Sequence, residues 1–264
     1  MSIYKNISGV PNFTVEEYSE KKHDYVLLIP VLNEGTRILN ELNRAYKVKL
    51  CDSIDIVICD GGSTDGSMNA SELTQLNVNA LLIKLGLGKQ GAQLRMGMYW
   101  ALKRGYKGIV TIDGNDKDSI EDVPAFVEKL KEGYDFIQGS RFIVGGKAIN
   151  TPLIRFVAVQ LIHAPVISIT AHHRFTDTTN NFRAYSKHYL EDVRVKPFRD
   201  IFQTYELLAY LSVRASQIGF SVCEIPVSRK YPPKGKTPTK ISFFKGNFDL
   251  LKILFLNLCG KYNP

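Results

Sequence analysis

Cysteine is scarce and scattered in this chain of 264 residues: Cys51, Cys59, Cys223 and Cys259 form no Cys-x-x-Cys pair. That spacing excludes a small disulfide-stapled scaffold and leaves reduced, buried thiols as the reading. The adjacent His172 and His173 lack the i, i+4 spacing of helical metal ligands, so no metal is assigned to them. No run reaches the ~20 apolar residues that span a bilayer; the nearest are 156–171, interrupted by Gln160 and His163, and 250–258. Residues 1–6 hold no basic stretch leading into an apolar run, so no secretory signal is read and a cytoplasmic location is expected. Internal repeats are absent as well.

What is present is an ordinary globular balance, 44% hydrophobic and 23% charged residues, enough for a packed core. The length suits one large α/β domain with extensions. Lys and Arg outnumber Asp and Glu by 34 to 26, a net charge of +8. Such an excess suits an anionic partner: a sugar nucleotide, a lipid phosphate, a membrane or a nucleic acid. No aromatic-rich RNA motif accompanies it, and nucleic acid is set aside.

Apolar runs of strand length recur at 25–29, 54–59, 80–83, 108–112 and 135–137, with helical or loop segments between them. That rhythm indicates βαβ units. Between the third and fourth runs, 90–104 spaces Ala92, Met96, Tyr99 and Trp100 as a helix that Gly105 ends; this stripe is read as core packing. Beyond Gly145 the alternation fades into helices and basic loops, with a later strand at 221–228. The tail beyond Ser242 mixes Phe248, Leu251 and Phe255 with Lys252 and Lys261, the pattern of an amphipathic helix that lies on a membrane or docks on the core.

In open α/β sheets, ligands gather beyond the carboxyl ends of the strands. Three turns there are rich in acids and glycines: Pro30-Val31-Leu32-Asn33-Glu34-Gly35, Asp60-Gly61-Gly62-Ser63-Thr64-Asp65-Gly66-Ser67, and Asp113-Gly114-Asn115-Asp116-Lys117-Asp118. A tight turn and a helix cap explain residues 62–67 of the second, but not a carboxylate at the end of a buried strand; such an acid suits the base or ribose of a nucleotide. In the third, Asp113 and Asn115 can present two hard oxygens on one side of the chain. Mg²⁺ or Mn²⁺ accepts such ligands, keeps positions for diphosphate oxygens and acts as a Lewis acid on a departing diphosphate.

These three turns, followed by Pro124, by Gly139-Ser140-Arg141 and by Asp177-Thr178-Thr179-Asn180-Asn181-Phe182-Arg183, resemble in order and spacing the GT-A glycosyltransferases of family 2. Within that family they are similar to the dolichyl-phosphate mannose synthase group and its bacterial polyprenyl-phosphate relatives. The resemblance covers about residues 24–240. It implies a mixed, mainly parallel α/β sheet flanked by helices, in a catalytic domain over 1–240. The nucleotide-binding half would occupy 24–142 and the acceptor half 143–240, with a helical and basic-loop extension and an amphipathic tail at 241–264.

The resemblance also implies roles. Pro30, Leu32, Glu34 and Asp60 would surround the nucleoside. Asp113, Gly114 and Asn115 would meet the diphosphate and a Mg²⁺ or Mn²⁺ ion, although the family's usual Asp-x-Asp is here Asp-Gly-Asn, with Asp116 as an alternative ligand and Lys117 as an alternative neutraliser. Arg141 and Arg183 are candidates to grip phosphate through a planar fork. Arg229, Lys236 and Lys240 would belong to a basic loop over the diphosphate. Glu206 stands where a hydroxyl-directed transferase keeps its base.

The implied activity is inverting transfer of a sugar from a nucleotide-sugar donor, with polyprenyl phosphate as the first acceptor and a glycan hydroxyl as the alternative. A nucleotidyltransferase is a weaker reading, because the loop after the first strand carries one Gly35 beside the acidic Glu34 and no basic glycine-rich run. A noncatalytic basic-surface protein is weaker too, having no use for three acidic turns. Peripheral membrane contact on the cytoplasmic face is compatible with the tail. The oligomeric state is left open.

Overall fold

Alternation inside the apolar runs sorts their side chains onto two faces. Leu27, Ile29, Ile56, Ile58 and Val110 face one layer, and Val26, Leu28, Val57, Cys59 and Ile109 the other, as a two-residue period requires. Both sets are buried, which is why these strands read as continuous apolar runs. The computed structural model describes residues 1–233 and 243–264.

Along the chain come β1 (Ser2–Tyr4), β2 (Phe13–Glu17), β3 (Tyr25–Val31), α1 (Thr36–Lys47), β4 (Asp55–Asp60), α2 (Ala70–Gln75), β5 (Ala80–Lys84), α3 (Gln90–Lys103) and β6 (Gly108–Thr111). Then follow α4 (Val123–Lys131), β7 (Phe136–Ser140), β8 (Lys147–Ile149), α5 (Leu153–Ala158), α6 (Ala164–Ala171), β9 (Arg183–Ser186), α7 (Lys187–Glu191), α8 (Glu206–Gln217), β10 (Val222–Pro226), β11 (Ser228–Lys230) and α9 (Phe243–Leu258). A main sheet runs β1-β2-β5-β4-β3-β6-β9-β7-β10, and β11 pairs separately with β8. Strands β5, β4, β3 and β6 are parallel neighbours, whereas β9 lies antiparallel between β6 and β7. The sheet is therefore the mixed, mainly parallel one expected. The antiparallel β1–β2 edge and β9 are additions that short strands without a long apolar run do not announce.

Close packing of α3 on the sheet rests on Gly97: a Cβ there would lie 2.5 Å from Cys59 Sγ and 2.9 Å from Leu28 Cδ1. The approach lets Gln93 donate to Val31 O at 2.6 Å and Cys59 O at 2.8 Å, tying together the carboxyl ends of β3 and β4. The tail is docked on one face. Ile253 and Leu254 of α9 join the core beneath α6 and α8, and Asn257 donates to Ala209 O at 3.1 Å.

One expectation is corrected. Residues 153–171 form a single 19-residue helical stretch, α5 and α6 joined through a π-helical turn at Val159–His163, with mean hydropathy 1.7. By length and composition it is long enough to cross a membrane. Gln160 and His163 do not break it, because helix continuity depends on the backbone ladder and not on unbroken apolarity.

Candidate active site

The first two rim turns are sewn to each other. Asn33 N donates to Ser63 Oγ at 2.8 Å, Thr64 N to Asn33 Oδ1 at 2.8 Å, and Gly35 N to Asp65 Oδ2 at 2.7 Å. Asn33 and Gly35 both hold positive φ, 48° and 57°, where Asn and Gly are the tolerated residues. Asp60, only 2% exposed, accepts from Gly62 N, Ser63 N and Ser63 Oγ at 2.6–3.1 Å. The strand-end carboxylate thus has a turn-closing duty that the sequence does not reveal. Glu34 is paired with Arg37 at 2.6 Å. Together with Pro30 and Leu32, Glu34 and Asp60 occupy the rim of β3 and β4.

The third turn lies against the same strands. A Cβ on Gly114 would press within 2.8 Å of Val31 Cγ2, so glycine is what lets the turn sit there. Asp113 Oδ1 accepts from Gln90 Nε2 at 2.8 Å. Its Oδ2 lies 3.4 Å from both Arg229 Nη2 and Asn115 Nδ2. Asn115 Oδ1 is buried and has no hydrogen-bond partner. Among the described residues no three His, Cys, Asp or Glu side chains converge to hold a metal. An orphan amide oxygen beside a carboxylate nonetheless fits a divalent ion that takes two protein oxygens and completes its shell with diphosphate. Asp116 is unsuited to the alternative role, since Arg44 pairs with it at 3.0 Å and also holds Glu121.

Arg229 is the feature that assembles the site. Backbone bonds from Lys230 N to Lys117 O, 2.7 Å, and from Ser119 N to Ser228 O, 3.0 Å, lace β11 to the third turn. This places the Arg229 guanidinium, 7% exposed, between Asp113 and the fully buried Asp118, with which it forms an ion pair. Next to it, Lys117, Arg155 and Arg229 all approach the Tyr231 ring at 5.5–5.7 Å, and Arg155 Nη1 donates to Tyr231 Oη at 3.0 Å. Burial would raise the Tyr231 phenol, but Arg229, Arg155 and Arg141 outweigh it and bring the hydroxyl below its ordinary range. Burial and then Arg229 push the Lys117 ammonium down. Tyr205 closes the arc; its phenol is raised by burial and by nearby Asp113.

Several expected residues stand elsewhere. Arg141 is sealed in a bidentate pair with Asp177, 2.6 and 2.9 Å, and also donates to Thr179. Arg183 is 1% exposed and spends its donors on Leu208 O, Ser212 Oγ, Asn180 O and Thr178 O. Both guanidiniums fasten the 177–183 loop in this structure rather than standing free at the rim. Glu206 accepts from Thr204 N at 2.6 Å and Thr204 Oγ1 at 2.7 Å, fixing the start of α8. Lys236 and Lys240 lie outside the described residues. Arg155 was not singled out by sequence, whereas Tyr231 belongs to the basic segment that begins at Arg229. A signal existed for Arg155, which is the one Lys, Arg, Asp or Glu in the apolar stretch 153–171.

Behind the third turn, α1 buries Glu41, whose Oε2 accepts from Asp116 N at 2.9 Å while Oε1 has no partner. Burial raises its carboxyl well above the usual range. A raised folded value means stability is present below the unfolded carboxylate range and is lost as pH rises toward the folded value. Glu41→Gln removes that cost. The variant should therefore melt higher at neutral pH. Near pH 4 the difference should vanish, and thermal unfolding across pH checks this.

Acidic and cationic groups that meet across the carboxyl rim of this topology define a GT-A glycosyltransferase. The chain belongs to glycosyl transferase family 2, whose family model matches residues 26–194. It is 28% identical over 212 residues to polyprenol monophosphomannose synthase of Mycolicibacterium smegmatis, covering 77% of this chain and 76% of that protein. It is 27% identical to undecaprenyl-phosphate mannosyltransferase of Micrococcus luteus, with 76% and 81% covered. Among solved structures it resembles glucosyl-3-phosphoglycerate synthase of Mycobacterium tuberculosis in complex with UDP: TM-score 0.62 at 14% identity, over 89% of this chain and 80% of that one. The same enzyme is known with Mn²⁺, UDP and phosphoglyceric acid, at TM-score 0.58 and 15% identity over 89% and 78% of the two chains. The chain is accordingly a nucleotide-sugar-dependent transferase.

Proposed function

We propose that the acceptor is the phosphate of a polyprenyl phosphate, to which the sugar is transferred with inversion at the cytoplasmic face of a membrane. The carrying observation is the cluster of Arg229, Lys117 and Arg155 around Tyr231, beside Asp113, where a hydroxyl-directed enzyme would need a free carboxylate. Among the described residues Arg155 pairs with no carboxylate, so its charge is available to a phosphate.

In this reading the nucleoside lies over Pro30, Leu32, Glu34 and Asp60, and the diphosphate reaches the Asp113 turn. A phosphate oxygen of the acceptor, held by Arg155 and Tyr231, attacks the anomeric carbon from the face opposite the diphosphate. The bond from that carbon to the diphosphate oxygen breaks, and its electron pair leaves with the diphosphate. Arg229 and Lys117 stabilise the developing negative charge. The acceptor is already anionic, so no base is required and Glu206 keeps its task of holding Thr204. A Mg²⁺ or Mn²⁺ ion would be held by Asp113 and Asn115 and would supply Lewis-acid neutralisation of the same charge.

Two measurements test this. Thermal unfolding with UDP, GDP, dTDP or CDP, each with Mg²⁺, Mn²⁺ or chelator, should single out one nucleotide, because a ligand at a hundredfold excess over Kd stabilises by ~2.7 kcal/mol. Arg155→Ala should lower kcat/KM for polyprenyl phosphate by about 10- to 100-fold, the loss of one charge-assisted contact, and leave the nucleotide shift intact. Undiminished transfer in that variant would move the acceptor elsewhere.

A further inference from the structure

Just ahead of β9, Asn181 carries an amide that the fold does not use. The residue is 2% exposed, and neither its Nδ2 nor its Oδ1 has a hydrogen-bond partner among the described residues. The neighbouring Asn180, equally buried, shows what the same loop does with a structural amide. Its Nδ2 donates to Gly139 O at 2.8 Å and Asp177 Oδ2 at 3.1 Å, and its Oδ1 accepts from Gln138 Nε2 at 2.7 Å. A buried donor and acceptor that stay unpaired cost stability, so an amide of this kind calls for a partner from outside the chain.

Strand register shows where that partner would lie. In the antiparallel pair of β6 and β9, Val110 stands opposite Ala184 and Thr111 opposite Arg183. Two positions further on, the same register sets Asn181 opposite Asp113, and Thr111 Oγ1 donates to Asn181 O at 2.7 Å. Side chains alternate along both segments. Ile112 and Phe182 enter the core layer shared with α1 and α4, so Asp113 and Asn181 belong to the side of α3 and α8. Their neighbours agree: Asp113 accepts from Gln90 of α3, and Arg183 reaches Leu208 O and Ser212 Oγ of α8. The unpaired amide therefore shares one side of the sheet with the carboxylate of the third turn.

Chemistry narrows the ligand. A metal ion would satisfy Oδ1 and leave the Nδ2 hydrogens unpaired, whereas a phosphate would satisfy the hydrogens and leave Oδ1. Phosphate is also repelled by a carboxylate across the strand pair. A hydroxyl both donates and accepts, and two on adjacent carbons match the side-by-side N–H and C=O of one amide. We propose that Asn181 reads a pair of neighbouring hydroxyls on the transferred sugar, Nδ2 donating to one and Oδ1 accepting from the other, and so helps to set which sugar is carried. This deepens the proposed function and rests on its placement of the donor diphosphate at the Asp113 turn. The amide breaks no bond; it fixes how the sugar hangs from the diphosphate.

The test is isothermal titration of the full chain, with Mn²⁺ and without acceptor, using UDP-glucose, GDP-mannose, dTDP-glucose and CDP-glucose, each beside its bare nucleoside diphosphate. For the nucleotide that binds, Asn181→Ala should weaken the sugar nucleotide about tenfold, the loss of a pair of neutral hydrogen bonds, and leave the bare diphosphate within about twofold. Asn181→Leu, which keeps the volume and removes both polar atoms, should do the same and guards against collapse of the loop. Equal losses for sugar nucleotide and diphosphate would make Asn181 a structural residue, and no loss for either would leave a buried water as its partner; each overturns the inference. Absence of any nucleotide binding by the wild type would defeat the donor site and this inference together. Because no acceptor is present, a failure of the polyprenyl phosphate reading in the Arg155→Ala experiment does not touch the result.

Discussion

Asp113→Asn should reduce sugar transfer by about 10²–10³-fold, the scale of removing one preorganised charge contact at a reacting group, while the protein stays folded. The substitution keeps the shape of the side chain, and Asn Oδ1 can still accept the 2.8 Å bond from Gln90. What is lost is the negative charge that stands 3.4 Å from Arg229 and next to the orphan Asn115 Oδ1. Without it the site has one neutral pair of oxygens, and divalent ions bind such sets poorly. Steady-state transfer at saturating donor measures the rate, and the metal-dependent part of the nucleotide thermal shift should vanish in parallel. Transfer within a few-fold of wild type would remove Asp113 from the chemistry.

The second large effect is on stability. Arg229→Ala should cost about 3–5 kcal/mol, the usual penalty for stranding one partner of a buried ion pair, or roughly 6–20 °C in Tm at this chain length. Asp118 is fully buried and its Oδ1 has no hydrogen-bond partner, so it depends on Arg229 for compensation. Adding Asp118→Asn should recover a good part of the loss, which a double-mutant cycle resolves. The rescued double variant separates two tasks of Arg229. It should be folded yet remain deficient in transfer, because the guanidinium beside the diphosphate is still missing. A double variant that is both stable and fully active would leave Arg229 with a structural duty alone.

Arg141 and Arg183 show where sequence reading reaches its end. Both sit in polar motifs at strand ends, where a guanidinium can either grip a phosphate or pair with a carboxylate such as Asp177. Asp177 reaches Arg141 from 36 residues away and Leu208 reaches Arg183 from α8, approaches that no local pattern encodes, whereas Thr178 and Asn180 lie in Arg183's own segment. Arg155 errs in the opposite direction. It reads as a solitary charge in an apolar stretch, and the fold turns it toward Tyr231, 76 residues away.

The sequence by itself determined the central strands β3 to β7, the alternation of their apolar faces and the three acidic turns at their ends. Each of these depends on residues within a few positions: a two-residue side-chain period, glycines that allow positive φ, and Asn or Ser side chains that close their own turns. The tertiary structure decided which charges are spent and which remain. Arg229 meets Asp113 across 116 residues, and α9 finds α6 and α8 from the far end of the chain. Those encounters depend on how the layers pack, and a guanidinium's role follows from which carboxylate reaches it first.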